Sequence, residues 1–98
     1  MRALRFEWDD TKESQNHRKH GVSFHEAMSV FSDERAMLID DPDHSEHEER
    51  FILLGLSSAL RTLVVCHCYR GREGVIRLIS ARRANAQERR RYQRGWSP

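Results

Sequence analysis

One stretch near the carboxyl end, residues 75–83, restricts the possible folds more than any other part of the chain. Four of its first five residues are large and aliphatic or β-branched, and it contains no glycine or proline. Such a run is typical of a strand buried on both faces, which predicts a central strand of a sheet. The strand ends in Arg82 and Arg83. Because guanidinium groups match phosphate oxygens, we predict that this end of the sheet can hold phosphate.

Apolar periodicity and capping signals elsewhere predict the element order β-α-α-β-β-β-β-α. Asp9 and Asn85 are predicted N-caps, and Ser23 with Glu26 forms a predicted capping box. We therefore predict an α+β fold, a small antiparallel sheet with helices packed on one face, in a single domain over residues 1–98. The other face would lie open beside the arginines. The predicted strands are Leu4–Trp8, Ala36–Ile39, Arg50–Leu56, Leu60–Tyr69 and residues 75–83.

The net charge of +2 hides a strong asymmetry between the two halves of the chain. Residues 1–49 carry six Lys/Arg against thirteen Asp/Glu, whereas residues 50–98 carry eleven arginines against two glutamates. This pattern favours a basic face for nucleic acid or for an acidic partner. The simpler interpretation is a mixed surface on which the two halves pair with each other.

Several classes of protein do not fit the sequence. No apolar run approaches the roughly 18 residues of a membrane span, and residues 1–7 lack the apolar stretch of a signal peptide. Cys66 and Cys68 are too far apart along a strand for good disulfide geometry, so we expect reduced thiols in a cytoplasmic protein. Zinc is not expected, because the spacing of His44, His47 and the Cys66–Cys68 segment matches no closed tetrahedral site.

Four side chains have both a structural and a functional interpretation. Trp8 could end the apolar face of the first strand or stack on a base, and the core interpretation is the stronger one. Lys19 and His20 suit the carboxyl end of a helix, but could also bind phosphate or transfer protons. His67 shares a strand face with apolar residues, where a histidine is usually structural, although an imidazole is also a plausible acid–base group.

Several short motifs lie in order along nearly the whole chain: Phe6–Asp9, Lys19–Phe24 with Glu26–Ala27, Glu49–Arg50, and Ile79–Ala84 with Glu88–Arg89 and Tyr92. Together they resemble the BrnT family, toxins of type II toxin–antitoxin pairs. The resemblance implies a RelE-like fold, endoribonuclease activity that stops translation, and a BrnA-type ribbon-helix-helix antitoxin that masks the toxin and binds operator DNA. It carries over as candidate site residues Trp8, Lys19, His20, Glu49, Arg50, Arg82 and Arg83.

Metal-free RNA cleavage needs a base for the 2′-hydroxyl proton, a cation for the pentavalent phosphorane, and an acid for the leaving 5′-oxygen. Arginine is a good cation and a poor proton donor. We therefore assign Arg82, with Arg50 nearby, to the scissile phosphate, and we expect a 2′,3′-cyclic phosphate product without a metal or cofactor. The candidates for proton transfer are His67, His20 and Glu49. The candidates for binding the rest of the RNA are Trp8, Lys19, Arg72, Arg77 and Arg83.

Two other classes of function stay open on sequence alone. A non-enzymatic module would use the arginine surface to bind nucleic acid or an acidic protein, with salt-sensitive binding and no cleavage. An inactive relative of the toxin would only sequester its antitoxin. Histidines and carboxylates near the arginines favour the enzyme, because a pure binding face needs no proton carriers.

Overall fold

The computed structural model describes residues 4–40 and 49–95, and its element order is the predicted one. The acidic stretch at residues 40–49, which contains Pro42 and is predicted to be a loop, lies outside the described residues at 41–48. No helix in the described ranges is long and apolar enough to cross a membrane. The elements are β1 (Phe6–Glu7), α1 (Asp10–His20), α2 (Phe24–Ser29) continued by a 3₁₀ turn (Val30–Ser32), β2 (Met37–Asp40), β3 (Phe51–Leu56), β4 (Thr62–Arg70), β5 (Val75–Arg83) and α3 (Ala86–Arg94).

The helices begin at the predicted caps. Asp9 accepts hydrogen bonds from two amides of the first turn of α1, and Asn85 forms a complete capping box with Glu88 at the start of α3. The box predicted at α2 is only half formed. Ser23 accepts from the Glu26 amide at 3.0 Å, but the Glu26 carboxylate turns away to bind Arg61. A guanidinium is a stronger partner for a carboxylate than a backbone amide is.

The sheet is mixed, not wholly antiparallel as predicted. The strand order is β1-β5-β4-β3-β2, and all neighbours are antiparallel except β1 and β5, which run parallel. The reason is connectivity: a long crossover through two helices and three strands separates β1 from β5, so no hairpin forces them antiparallel. β4, not β5, is the middle strand. In β5 the fully buried side chains, Ile76, Leu78 and Ala81, point to one face only.

Helices pack on both faces of the sheet, which corrects the predicted one-faced arrangement. On one face, called the α2 face, Phe24 and Ala27 of α2 pack with Leu53 and Val65 in the main core. The neighbouring residues of the same strands point the other way, to the α3 face. There Tyr92 of α3 packs on a second cluster of Met37, Leu54, Val64 and Ala84. Successive strand residues point to opposite sides of the sheet, and in β3 and β4 the residues on both sides are apolar. Both faces of the sheet must therefore be covered by helices.

Beyond the end of β1, a buried side chain of α1 makes the hydrogen bonds to β5 that a neighbouring strand would make. β1 pairs with only two residues of β5, and further along that edge Asn16 takes the place of a strand. Its Nδ2 donates to the Ala81 carbonyl at 2.9 Å, and its Oδ1 accepts from the Ala81 amide at 3.0 Å. Nδ2 also donates to the Val22 carbonyl at 3.0 Å. Asn16 therefore holds α1, the turn after it and β5 together.

Candidate nucleic-acid interface

A groove runs between α1 and β5 on the edge that Asn16 closes. It is lined by one face of the helix and by two residues of the strand: Lys12, Gln15, Asn16, Lys19, His20, Ile79 and Ser80. The helix residues fall at intervals of three, four and seven, so they share one side of α1. Two lysines and a histidine face the groove, and its lining contains no carboxylate. The predicted residues Lys19 and His20 are thus brought to the same site.

The floor of this groove is irregular strand. Cys66 pairs with Ser80, but its neighbour His67 pairs with Leu78, which leaves Ile79 as an extra residue in β5. This is a β-bulge, an irregularity that is frequent beside functional sites because it redirects side chains. The bulge turns the Ile79–Ser80 segment toward α1, where both residues line the groove.

Arg82 lies on the same face of β5 as Ser80, two residues along, which places their Cα atoms roughly 6.5–7 Å apart. Its guanidinium makes two bonds of 2.9 Å to the carboxylate of Glu88 in α3. Arg82 lowers the pKa of Glu88, and Glu88 raises the pKa of Arg82. The Arg82 side chain remains 43% exposed. It is a fixed cation at the margin of the groove that still has donors open to solvent.

Arg50 was predicted to lie near Arg82, but the structure places the two residues apart. Arg82 lies in a cross-strand row with Val64 and Leu54. Arg50 precedes Leu54 by four residues, or roughly 13 Å along the strand direction. Arg50 lies toward the row that contains Arg77, whose Nη1 is 2.8 Å from the Glu7 carboxylate. Exposed Glu49 lies directly before Arg50.

Three other predicted RNA-binding residues lie away from the groove lining. Arg72 is in the turn between β4 and β5, and the part of β5 between that turn and Arg82 is roughly 23 Å long. Arg83 points to the α2 face, opposite to Arg82, because it pairs with Leu63. Trp8 is half-buried and packs edge-on against Phe24 and His25 at centroid distances of 5.9 and 5.2 Å. This packing favours the core interpretation of Trp8.

His67 lies in the interior, which does not favour its predicted role in proton transfer to or from RNA. Its side chain is fully buried, with Phe31, Phe51 and Tyr69 around the ring. Nδ1 lies 3.2 Å from the Val65 carbonyl and must donate to it. Nε2 has no hydrogen-bond partner in the described part of the chain. Burial lowers the pKa of His67 below the ordinary histidine value.

The buried ring predicts a specific pH dependence of folding. Because the pKa of His67 is lower in the folded chain than in the unfolded one, the unfolded chain binds more protons below about pH 6.5. Stability should therefore fall as pH drops below that value, by at most ~1.4 kcal/mol per pH unit from this group.

Urea unfolding at pH 5, 6 and 7.5 measures this effect. His67→Leu should flatten the dependence, whereas His17→Leu, a change at an exposed position of α1, should not. An unchanged slope in His67→Leu would show that His67 is not the group responsible.

Metal ligands do not cluster in the described ranges. No group of three or more His, Cys, Asp or Glu side chains is placed to hold a metal ion among residues 4–40 and 49–95. His44 and His47 lie outside these residues. Cys66 and Cys68 form no disulfide in the described part of the chain, and Cys68 is buried.

Sequence reasoning missed five of the seven residues that line the groove, Lys12, Gln15, Asn16, Ile79 and Ser80. Lys12 and Gln15 lie two turns and one turn before Lys19 on the same side of α1, so a helical-face count starting from Lys19 would have found them. Ser80 gives no comparable signal. Its position depends on the bulge in β5, which follows from the register against β4 and not from the local sequence.

Two comparisons with known proteins, one of sequence and one of structure, find similar proteins. Residues 8–88 match the sequence model of a family described as the ribonuclease toxin BrnT of type II toxin–antitoxin systems. The fold is similar to that in the 1.1 Å crystal structure of the Brucella abortus ribonuclease toxin BrnT, with a TM-score of 0.63 and 24% identity. The alignment covers 85% of this chain and 99% of the Brucella chain. A search of curated protein sequences finds no match.

Proposed function

The chain belongs to the family of BrnT ribonuclease toxins of type II toxin–antitoxin systems, and from this premise we propose that it is a metal-independent endoribonuclease that stops translation. The observation that carries the proposal is the groove between α1 and β5. It combines two lysines, a histidine and a nearby fixed arginine at a β-bulge. They supply the cations and one of the two proton carriers that metal-free phosphodiester cleavage requires.

The reaction we propose is an internal transesterification. A base removes the proton of the ribose 2′-hydroxyl, and the 2′-oxygen attacks the adjacent phosphorus. The bond from phosphorus to the 5′-oxygen breaks, and an acid protonates that oxygen. The products are a 2′,3′-cyclic phosphate and a 5′-hydroxyl end, so atoms and charge balance without a metal or cofactor.

We assign one of the two proton transfers to His20. Histidine accepts and donates protons near neutral pH, and His20 is the one side chain of that kind in the groove lining. Lysine and arginine hold their protons too tightly at neutral pH to act as the base. Glu49 is exposed, but it lies beside Arg50 and away from the row of Arg82, so it is a weaker candidate for the second transfer than His20 is for the first. His67 is a weaker candidate, because its ring is enclosed by aromatic side chains.

Lys19 and Lys12 would bind the phosphates that flank the scissile bond, and Arg82 would stabilise the phosphorane. The lysines lie on the same helix face as His20, so an RNA backbone in the groove would meet all three cationic or ionisable groups. Arg82 is pre-oriented by Glu88 and has exposed donors left for phosphate oxygens. Such preorganised cations stabilise charge that develops in the transition state.

The cellular setting follows from the family and remains part of the proposal. A toxin of a type II pair has a protein antitoxin. We propose a BrnA-like ribbon-helix-helix antitoxin that also binds operator DNA, and a cytoplasmic site of action.

The proposed catalytic role of Arg82 can be tested separately from its structural role as the ion-pair partner of Glu88. Arg82→Ala removes both the cation and the ion pair with Glu88, whereas Glu88→Gln removes the ion pair and keeps the cation. We expect Arg82→Ala to slow cleavage by about tenfold or more, and Glu88→Gln to retain most of the wild-type rate.

The measurement is single-turnover cleavage of RNA by folded protein in EDTA, with near-ultraviolet circular dichroism as the folding check. Equal losses in Arg82→Ala and Glu88→Gln would mean that Arg82 acts only by holding α3. Wild-type activity in folded Arg82→Ala would overturn the assignment to the scissile phosphate.

A further inference from the structure

The turn between β3 and β4 holds a leucine in a conformation that leucine disfavours. Leu60 has φ = 61°, the one positive φ at a non-glycine residue among those described. Its side chain is also 79% exposed. A left-handed conformation costs roughly 1–2 kcal/mol for an ordinary residue and almost nothing for glycine. An exposed aliphatic side chain at such a position gives no evident benefit to the isolated chain.

Hydrogen bonds within this turn and to α2 hold Leu60 in place. The Leu60 amide donates to the Ser57 carbonyl, and the Ser57 amide donates to the Arg61 carbonyl, both at 2.9 Å. Ser57 is buried, and its hydroxyl donates to the Glu26 carboxylate at 2.7 Å. The Ser58 amide donates to the Ser29 hydroxyl at 2.8 Å, which ties the turn to α2.

A basic cleft, which we call the arginine cleft, opens directly beside Leu60. It is lined by residues of the turn, the end of β5 and the first turns of α3: Leu60, Arg61, Thr62, Arg83, Ala84 and Arg89. None of them lines the α1–β5 groove. The predicted RNA-binding residue Arg83 therefore belongs to a surface other than the proposed catalytic groove.

Two of the three guanidinium groups in the arginine cleft are held in place. Arg61 donates through Nε to Glu26 at 2.9 Å and through Nη2 to the Gly21 carbonyl at 3.0 Å. Arg89 donates to the Ala84 carbonyl at 2.8 Å. Arg83 is exposed. Three arginines and no carboxylate line the cleft, and Glu26 binds only Arg61 among them, so the lining keeps a positive charge suited to anions.

The chemistry of this surface fits a protein better than an RNA strand. The lining of the arginine cleft contains no ring on which a base could stack and no histidine, whereas the α1–β5 groove contains His20. An apolar centre with arginines beside it is instead the composition of protein–protein interfaces. Carboxylates would pair with the guanidinium groups, and an apolar residue would cover Leu60.

We propose that the arginine cleft with Leu60 is a docking surface for an acidic segment of the antitoxin. Binding would remove the exposed leucine side chain from water, which favours association. The inference rests on the proposed function in one respect, that the chain has a protein antitoxin. It adds that the antitoxin is anchored outside the groove that cleaves RNA.

The test compares variants of Leu60 in full-length toxin, titrated with its full-length cognate antitoxin by isothermal calorimetry. Leu60→Gly removes the side chain and suits the left-handed backbone, so the fold should be preserved. Leu60→Asp is also tolerated there and adds a charge that would repel an acidic partner. We expect roughly tenfold weaker binding or more for Leu60→Gly, and a larger loss for Leu60→Asp. Leu4→Asp, at another exposed leucine, serves as the matched control.

RNA cleavage by the same preparations is the second measurement, and Leu60→Gly should cleave at the wild-type rate. Unchanged antitoxin affinity in both Leu60 variants would overturn the inference. If the Leu60 variants lost RNA cleavage but still bound the antitoxin, the inference would also be overturned, because the arginine cleft would then be a surface for RNA. If wild type bound the antitoxin but cleaved no RNA, the nuclease proposal would fail while the titrations would still decide the docking surface.

Discussion

Replacing His20 with asparagine is expected to lower the rate of RNA cleavage by roughly 10²- to 10⁴-fold, the usual contribution of a general acid or base. His20 lines the α1–β5 groove, and asparagine keeps a polar side chain of similar reach that cannot transfer a proton. Single-turnover cleavage under excess enzyme measures the chemical step directly. RNA affinity, measured by fluorescence anisotropy, should change little.

The matched control is His17→Asn. His17 is exposed on the same helix and is not among the residues that line the groove, so this variant should cleave at the wild-type rate. A loss of activity in both variants would mean that the helix, not the imidazole, is responsible. Near-wild-type cleavage by folded His20→Asn would remove His20 from the mechanism and return attention to Glu49.

Replacing Asn16 with leucine should cause the largest loss of stability of any single change considered. Leucine fills a similar volume but leaves the Ala81 amide, the Ala81 carbonyl and the Val22 carbonyl without their partner. Each buried polar group left unpaired costs roughly 1–3 kcal/mol, so we expect about 3–5 kcal/mol in total. That is a large part of the roughly 5–15 kcal/mol that stabilises a small domain.

The measurement is urea or thermal unfolding, with a decrease in Tm of roughly 15–25 °C for a domain of this size. Ser14→Leu, an exposed polar-to-leucine change on the same helix, is the control and should alter stability by no more than ~0.5 kcal/mol. A loss of stability below about 1 kcal/mol in Asn16→Leu would show that the backbone groups of Ala81 have other hydrogen-bond partners, such as water.

Local features of the sequence were enough to predict the elements and their order. Caps such as Asp9 and Asn85, and the glycine after α1, mark helix ends through interactions within one turn. The parallel pairing of β1 with β5 and the placement of α3 on the second face could not be found this way. Both depend on contacts between residues that are far apart in the chain, for which a single sequence gives no direct signal.

The candidate site was predicted in part. Lys19 and His20 do lie together in a basic groove, as a helical face allows. The adjacent residues Arg82 and Arg83 were assigned to one RNA path, although strand alternation alone places them on opposite faces. The burial of His67 was not predictable, because it depends on Phe31 and Phe51, which reach the ring from other elements.

The central claim is that the chain cleaves RNA through the 2′-hydroxyl, without a metal. The most direct measurement is cleavage of an RNA by wild-type toxin in EDTA, repeated on the same RNA with a 2′-deoxy sugar at the mapped cleavage position. We predict cleavage of the all-RNA strand, with a 2′,3′-cyclic phosphate end, and none at the deoxy position. Cleavage of the deoxy strand would contradict the mechanism. No cleavage by folded protein, with free RNA or with ribosomes, would contradict the nuclease itself and favour a binding or antitoxin-sequestering role.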